Sequence, residues 1–154
     1  MNINLAYLYR KTEEFDVAHH HLNVVQEIAS ELDIVNFVQL AHDWRCEMSL
    51  EQGRLDSTLH YLAVAREYSK QNGSTTYENV RLLGDVSFAQ DRFEEAGEFY
   101  NMALDKSSDD AASLLGASKC AKAQGDYALA LSLRERYHMA VSYTHLRAHE
   151  TTDN

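Results

Sequence analysis

The sequence predicts an all-α protein of about four antiparallel helix pairs, and three observations lead to that fold class. The 154 residues contain no proline and only six glycines, so few positions interrupt a helix. Apolar side chains recur about every three to four residues along most of the chain, as they do on the buried face of a helix. A pattern of small and large residues also returns several times, which is typical of an array of repeated units.

Composition and charge narrow the class of protein further. Apolar residues make up 45% of the chain, which is enough for the core of one domain. The formal net charge of −10 argues against a nucleic acid or an anionic membrane as partner. We find no apolar run of about 18 residues that predicts a membrane span, and no N-terminal pattern of a signal peptide. Cys46 and Cys120 lack metal-ligand spacing and are expected to be buried thiols in a reducing compartment, so the predicted location is cytoplasmic.

The first two helix pairs are predicted from periodicity and turn residues. In pair one we expect a helix from Asn2 to Lys11 and a partner that opens at Glu13-Glu14-Phe15 and ends near Leu32. In pair two, Asp33 is the expected N-cap and Gln52-Gly53-Arg54 the turn. The residues that recur at helical spacing are Leu5, Ala6, Tyr9, Ala18, Leu22 and Val25 in pair one, and Phe37, Leu40, Ala41, Trp44, Met48, Leu55, Thr58, Leu62 and Ala65 in pair two.

The third and fourth pairs follow a break at residues 71–74. Gly73 suits a left-handed helix end, and Ser74 or Thr75 is the expected cap of the next helix. Pair three turns at Asp91-Arg92, and pair four turns at Gly125-Asp126-Tyr127 after a helix from Ala112 to Gln124. The small residues that would let helices approach closely are Gly84, Ala96, Ala103, Ser118 and Ala130, and the large residues beside them in pair three are Leu83, Phe93, Phe99 and Tyr100.

The order of small and large residues from Leu82 to Ala103 resembles one tetratricopeptide repeat. The close-contact position recurs at Ala18, Thr58, Ala96 and Ala130, with spacings of 40, 38 and 34 residues. The last spacing matches the family period of about 34. The resemblance covers about residues 3–139 and implies a right-handed superhelical solenoid that binds a protein or peptide.

The family resemblance also implies where a ligand would bind. In such solenoids the first helix of each pair lines the concave side. The residues mapped to that side are Tyr7, Arg10, Lys11, Asp43, Glu47, Glu51, Arg81, Asp85, Phe88, Lys119 and Lys122. They predict a groove with basic ends and an acidic middle. Asp43 and Glu47 stand where chaperone-binding members need neutral or basic groups, so that function is not carried over.

No motif in the sequence predicts catalysis. There is no phosphate-binding glycine loop, zinc-protease motif or nucleophile elbow. His19, His20 and His21 are consecutive, and neighbouring helical residues point about 100° apart, so the three cannot converge on one ion. We therefore expect a protein that is not an enzyme and has no cofactor or metal site.

The C-terminal residues 141–151 read Val-Ser-Tyr-Thr-His-Leu-Arg-Ala-His-Glu-Thr. Their codons can be written as the transposase adapter that is joined to DNA fragments in sequencing libraries. We interpret residues 140–154 as a non-native tail and residues 1–139 as a fragment of a repeat domain, and we discard the pair His145 and His149 as a metal site. An uncapped last repeat would expose Tyr127, Leu131 and Leu133 and favour self-association.

These observations lead to two functional hypotheses. The first is a bacterial-type cytoplasmic scaffold that binds a protein or peptide in its concave groove. The alternative is a sensory or regulatory segment of a larger signalling protein, whose missing output domain would be a nucleotide cyclase, a histidine kinase or a DNA-binding domain. The uninterrupted reading frame beyond Met139 would distinguish them.

Overall fold

The structure is a computed structural model that describes residues 2–71, 73 and 75–150, with side chains as far as residue 143. Over this range it contains eight α-helices and no β-strand, so the all-α prediction is confirmed. The helices are α1 (Asn2–Lys11), α2 (Phe15–Glu31), α3 (Val35–Glu51), α4 (Leu55–Gln71), α5 (Tyr77–Ala89), α6 (Phe93–Lys106), α7 (Ala111–Ala123) and α8 (Tyr127–Glu150). No helix in the described part of the chain is long and apolar enough to cross a membrane.

Consecutive helices pack against each other in pairs: α1 with α2, α3 with α4, α5 with α6, and α7 with α8. Each pair is joined by a short turn, which makes its two helices antiparallel. The chain divides into two compact units, Met1–Thr75 and Thr76–Asn154. Within the first unit α2 also packs on α3, and within the second α7 packs on both α5 and α6.

Five helix ends share one backbone geometry. A residue in the left-handed region closes each of them: Glu13, Asp33, Gly53, Asp91 and Gly125, with φ between 56° and 81°. The N–H of the next residue then donates to the carbonyl five positions back, as in Arg54 to Ser49 at 2.8 Å and Arg92 to Ser87 at 3.0 Å. These hydrogen bonds satisfy carbonyl groups in the last turn of the helix that otherwise have no intrahelical donor. The predicted turns around Gly53, Asp91 and Gly125 are confirmed, as is the left-handed Gly73 with φ 63°.

Two predicted N-caps are wrong. Asp33 does not cap α3, because it is the left-handed residue that closes α2, and α3 starts after Ile34 without a side-chain cap. The cap of α5 is Thr76, whose hydroxyl oxygen accepts the Asn79 N–H at 3.2 Å, and not Thr75. The alternative cap Ser74 lies outside the described residues.

The core of the second unit is organised around Tyr100 of α6, which is almost fully buried. Its ring lies against Gly84 of α5 and Gly116 of α7. A Cβ atom at Gly84 would lie 2.9 Å from the ring, and one at Gly116 would lie only 2.3 Å from it. The predicted small Gly84 and large Tyr100 are therefore confirmed as partners, whereas the contact with Gly116 was not predicted.

A hydrogen bond fixes the polar end of the same ring. The Tyr100 hydroxyl donates to Oδ1 of Asp85 at 2.7 Å. Burial, followed by the Asp85 carboxylate, raises the pKa of Tyr100 well above its ordinary value, so the hydroxyl keeps its proton and remains a donor.

The close contact of α7 with α8 also includes a hydrogen bond, from the Ser118 hydroxyl to the Ala130 carbonyl at 2.8 Å.

The core of the first unit is aliphatic. Its buried cluster comprises Ala6, Ala18, Leu22, Ala41 and Met48, with Ile3, Tyr9, Phe15 and Trp44 packed beside it. All of these except Ile3 and Phe15 were predicted from the repeat pattern. Phe37 recurs at the same helical spacing but is exposed, because it lies in the first turn of α3 beside a small apolar surface cleft.

Helix α8 departs from the prediction in one respect. Tyr127 and Leu131 are exposed as expected, whereas Leu133 is buried in the core cluster of the second unit. Self-association through Tyr127 and Leu131 stays a prediction. The helix continues to Glu150. Residues 151–154 and the side chains of His145 and His149 lie outside the described part. The non-native origin of residues 140–154 stays a prediction.

Two glycine-to-alanine substitutions should have opposite effects on stability. A Cβ at Gly97 of α6 would meet only the Cys120 Cβ, at 3.8 Å. We expect Gly97→Ala to raise the free energy of unfolding by up to about 1 kcal/mol, because alanine is the better helix former. Gly116→Ala should lower it by about 1–3 kcal/mol, because the new methyl overlaps the Tyr100 ring. Urea denaturation followed by circular dichroism measures both.

The double variant Gly116→Ala/Tyr100→Leu tests the cause. If the Tyr100 ring is the obstacle, Gly116→Ala should lower the free energy of unfolding less in the Tyr100→Leu background than in the wild type. An additive result, or equal stability of the two single glycine variants, would show that Tyr100 does not set this contact.

Candidate functional site

The predicted binding residues fall into one set in each unit. In the first unit they are Tyr7, Arg10 and Lys11 on α1, and Asp43, Glu47 and Glu51 on α3. In the second unit they are Arg81, Asp85 and Phe88 on α5, and Lys119 and Lys122 on α7.

Arg10 links the two helices of the first set. Its guanidinium forms ion pairs with the carboxylates of Glu47 and Glu51, and Nη2 lies 2.8 Å from Glu51 Oε1. The Arg10 and Glu47 side chains are both mostly buried, which strengthens their attraction compared with a pair in bulk water. The predicted basic end and acidic middle of the groove therefore neutralise each other here.

An aromatic pair lies on the same two helices. Tyr7 is 50% exposed, and its ring centroid is 6.0 Å from that of Trp44. The Lys11 ammonium lies 5.6 Å from the centre of the Tyr7 ring, within the range of a cation–π interaction. We call the surface formed by Tyr7, Arg10, Lys11, Trp44, Glu47 and Glu51 the α1–α3 face. Trp44 was predicted as a core residue of the repeat, and its contact with Tyr7 adds it to this site.

A surface cleft adjoins the α1–α3 face. Its volume is about 440 Å³, and its lining residues are Arg10, Lys11, Glu13, Phe15, Glu51 and Gln52. A space of this size accommodates one or two side chains of a peptide, and it offers both charges and one aromatic wall.

Asp43 does not belong to this open surface. It is only 5% exposed, although the repeat mapping placed it on the ligand side with Glu47. A carboxylate with so little exposure presents almost no surface to a partner, so Asp43 is not included in the α1–α3 face, and its role in ligand binding stays a prediction.

In the second unit, the predicted binding residues on α5 make contacts within the unit. Arg81 Nη1 lies 2.6 Å from Asp85 Oδ2, and the other Asp85 oxygen accepts the Tyr100 hydroxyl. Phe88 packs edge-on against Phe93 and contacts the core cluster. Asp85 and Phe88 therefore connect α5 to α6, and Arg81 pairs with Asp85 on the same helix.

Lys119 and Lys122 differ from the α5 residues. Both side chains are exposed on α7, and neither has an ion-pair partner among the described residues. Of the five predicted binding residues in the second unit, these two are the ones that present charge to solvent.

A buried polar cluster on α3 escaped the sequence analysis. Arg45 is only 4% exposed, and its guanidinium donates to Gln26 Oε1 at 2.5 Å and to Asn23 Oδ1 at 2.6 Å. It also lies 6.0 Å from the centre of the Tyr61 ring. Burial lowers the pKa of Arg45 from its ordinary value, and the neighbouring Tyr61 opposes that shift.

His42 lies one turn before Arg45 and is also buried. Its ring stacks on Tyr68 at 5.8 Å and lies 6.2 Å from Tyr61. Burial, together with the charges of Arg45 and His60, lowers the pKa of His42 to about 4. Its Nδ1 atom has no hydrogen-bond partner among the described residues. A charge pattern alone could not reveal this cluster, because arginine and histidine on a helix are usually solvated.

His19 and His21 of α2 face different neighbours. His21 Nδ1 lies 3.2 Å from Asn2 Oδ1, and its ring stacks on Tyr9. His19 instead faces Tyr61, with 6.4 Å between ring centroids. Burial, followed by the charge of Arg45, lowers the pKa of His19, and Asp16 opposes that shift.

Comparison of the sequence with models of known protein families finds no match. A search of curated proteins finds no match either. The resemblance to tetratricopeptide repeats therefore rests on the residues of this chain alone and stays a prediction.

The buried His42 should make stability depend on pH. Its pKa is lowered in the folded state, so between pH 6.5 and 4 the unfolded chain binds more protons and stability falls as the pH falls. The loss should approach about 3 kcal/mol at pH 4, since one pKa unit corresponds to about 1.4 kcal/mol. His19 contributes in the same direction. His42→Phe keeps a ring against Tyr68 and should flatten this dependence.

The measurement is the free energy of unfolding of both proteins from pH 7 to pH 4, by urea denaturation. The advantage of the His42→Phe variant over the wild type should grow as the pH falls. The same substitution at the exposed His138 controls for the general effect of losing a histidine. Parallel curves for wild type and His42→Phe would rule out His42 as the source.

Proposed function

We propose that this chain is a helical repeat domain of the tetratricopeptide type, a right-handed superhelical solenoid that binds a protein or peptide and has no catalytic activity of its own. Four antiparallel pairs with recurring turn geometry support this architecture. The observation that carries the binding role is the α1–α3 face, where residues from the first helices of two successive pairs meet.

The chemistry of this face suits a peptide ligand. Tyr7 and Trp44 offer a rigid aromatic surface, and large aromatic side chains supply much of the binding energy in protein interfaces. Arg10 is held by Glu47 and Glu51, so its position is set before a ligand arrives. A preorganised site loses less side-chain entropy on binding than a mobile one.

The charges at the edge of the face add selectivity. Lys11 is exposed beside Tyr7, and Glu51 is exposed at the adjoining cleft. A bound peptide would meet one positive and one negative group at the cleft that adjoins the aromatic pair. We propose that apolar and aromatic peptide side chains pack against the surface formed by Tyr7 and Trp44, and that these two charges orient the peptide.

The single tryptophan provides a direct test. Trp44 is the only tryptophan in the chain, so its fluorescence reports on the α1–α3 face. A displayed library of random peptides should yield binders that change Trp44 fluorescence in a saturable titration. Tyr7→Ala should weaken these binders by roughly 30-fold, the effect of a residue worth about 2 kcal/mol.

Tyr127→Ala serves as the control, since Tyr127 is an exposed tyrosine on α8. Circular dichroism should show both variants folded, because both side chains are at least half exposed. The proposal fails if no peptide is enriched. It also fails if enriched peptides leave Trp44 fluorescence unchanged and bind the Tyr7→Ala variant as well as the wild type.

A further inference from the structure

Arg45 carries a charge for which the described residues offer no counter-ion. Its two hydrogen-bond acceptors are the neutral amides of Asn23 and Gln26, and no carboxylate of the described residues forms an ion pair with it. An arginine stays protonated in proteins, and transfer of its charge from water to the interior is unfavourable unless an opposite charge compensates it. Arg10, on the neighbouring α1, has two such partners.

The surroundings of Arg45 add further groups that can bind an anion. Tyr61 of α4 neighbours both residues, since its ring centre lies 6.0 Å from the Arg45 guanidinium and 6.2 Å from the centre of the His42 ring. The Nδ1 atom of His42 is buried and has no partner in the described part of the chain. A neutral imidazole can carry its proton on that nitrogen and donate it. The cluster therefore combines a fixed cation with an unused donor.

The guanidinium is also close to the surface. Asn23 and Gln26, which accept its hydrogen bonds, line a cleft of about 490 Å³ along α2. An anion that enters this cleft needs to displace only an amide oxygen to reach Arg45. Asn23 is exposed and Gln26 partly exposed, so water can satisfy either amide once it is displaced.

The other cleft residues restrict what can enter. Glu27, Ser30 and Glu31 complete the lining. Two carboxylates at the entrance repel a polyanion such as a nucleic acid, and they disfavour any ligand that brings several negative charges. A single small oxyanion experiences the least repulsion and gains the full attraction of the guanidinium, which binds carboxylate and phosphate oxygens with two parallel donors.

We propose that Arg45, with His42 and Tyr61, forms a binding site for one small oxyanion, a carboxylate or a phosphate group, that enters between Asn23 and Gln26. This site is separate from the α1–α3 face and does not depend on peptide binding there. The oxyanion supplies the missing counter-charge, so its binding stabilises the folded chain.

The test measures thermal unfolding of the full chain at pH 7 in sodium phosphate, in sodium acetate and in sodium chloride at equal ionic strength. Phosphate or acetate should raise the unfolding midpoint by about 3 °C or more over chloride, in a saturable manner. A rise in acetate alone assigns a carboxylate ligand, and a rise in phosphate alone assigns a phosphoryl group. Equal midpoints in all three salts would overturn the proposal.

Arg45→Met removes the charge and keeps most of the side-chain length. This variant should lose the oxyanion-dependent rise, and in chloride it should be at least as stable as the wild type, because a buried uncompensated charge is gone. Arg66→Met, at an exposed arginine of α4, should keep the rise. A rise that persists in Arg45→Met would show that the oxyanion binds elsewhere.

A second measurement does not depend on the stability of any variant. In nuclear magnetic resonance spectra of the wild-type chain, the side-chain amide signals of Asn23 and Gln26 should shift on titration with the effective anion. Their shifts should saturate together. Unmoved Asn23 and Gln26 signals at concentrations that raise the midpoint would exclude the site.

Discussion

The second unit depends on one side chain that is held by two helices at once. The Tyr100 ring of α6 fills the space that Gly84 of α5 and Gly116 of α7 leave open, and a methyl group at either glycine would overlap it. Asp85 then holds the hydroxyl, so the ring is fixed both by shape and by a hydrogen bond. The first unit has Leu22 at the corresponding position of the repeat pattern, and that smaller side chain is buried in a cluster with Ala6, Ala18, Ala41 and Met48.

The backbone conformation that closes the helices recurs along the chain, although different residue types adopt it. The left-handed residue that closes a helix is glycine at positions 53 and 125, but it is Glu13, Asp33 or Asp91 elsewhere. Glycine adopts this conformation without strain, and aspartate tolerates it because its short side chain can bond locally. Aspartate is equally common at N-caps, which is why Asp33 was assigned to the wrong helix end. Glycine marks the turn in the sequence at positions 53 and 125, whereas the turn at Asp91 was predicted from the repeat pattern.

The fold was largely predictable from sequence, whereas the site was predictable only in part. Helix pairs follow from periodicity, and the repeat mapping brought Arg10 together with Glu47 and Glu51 because successive first helices lie side by side. The mapping assigns a residue to a face but not to a depth, so it could not separate the buried Asp43 from Glu47. Arg45 was missed because its partners are neutral amides 19 and 22 residues away, which no charge pattern reveals.

Arg10 and Arg45 of the first unit differ in the partners of their guanidinium groups. Arg10 has two carboxylate partners, so the α1–α3 face has little excess positive charge to offer a ligand and must select it mainly by aromatic contact and shape. Arg45 has no carboxylate partner among the described residues and lies in a less polar environment, where an electrostatic attraction is stronger. The proposed oxyanion site therefore assigns an anionic group to Arg45 and not to the basic end of the predicted groove, where sequence alone would have placed it.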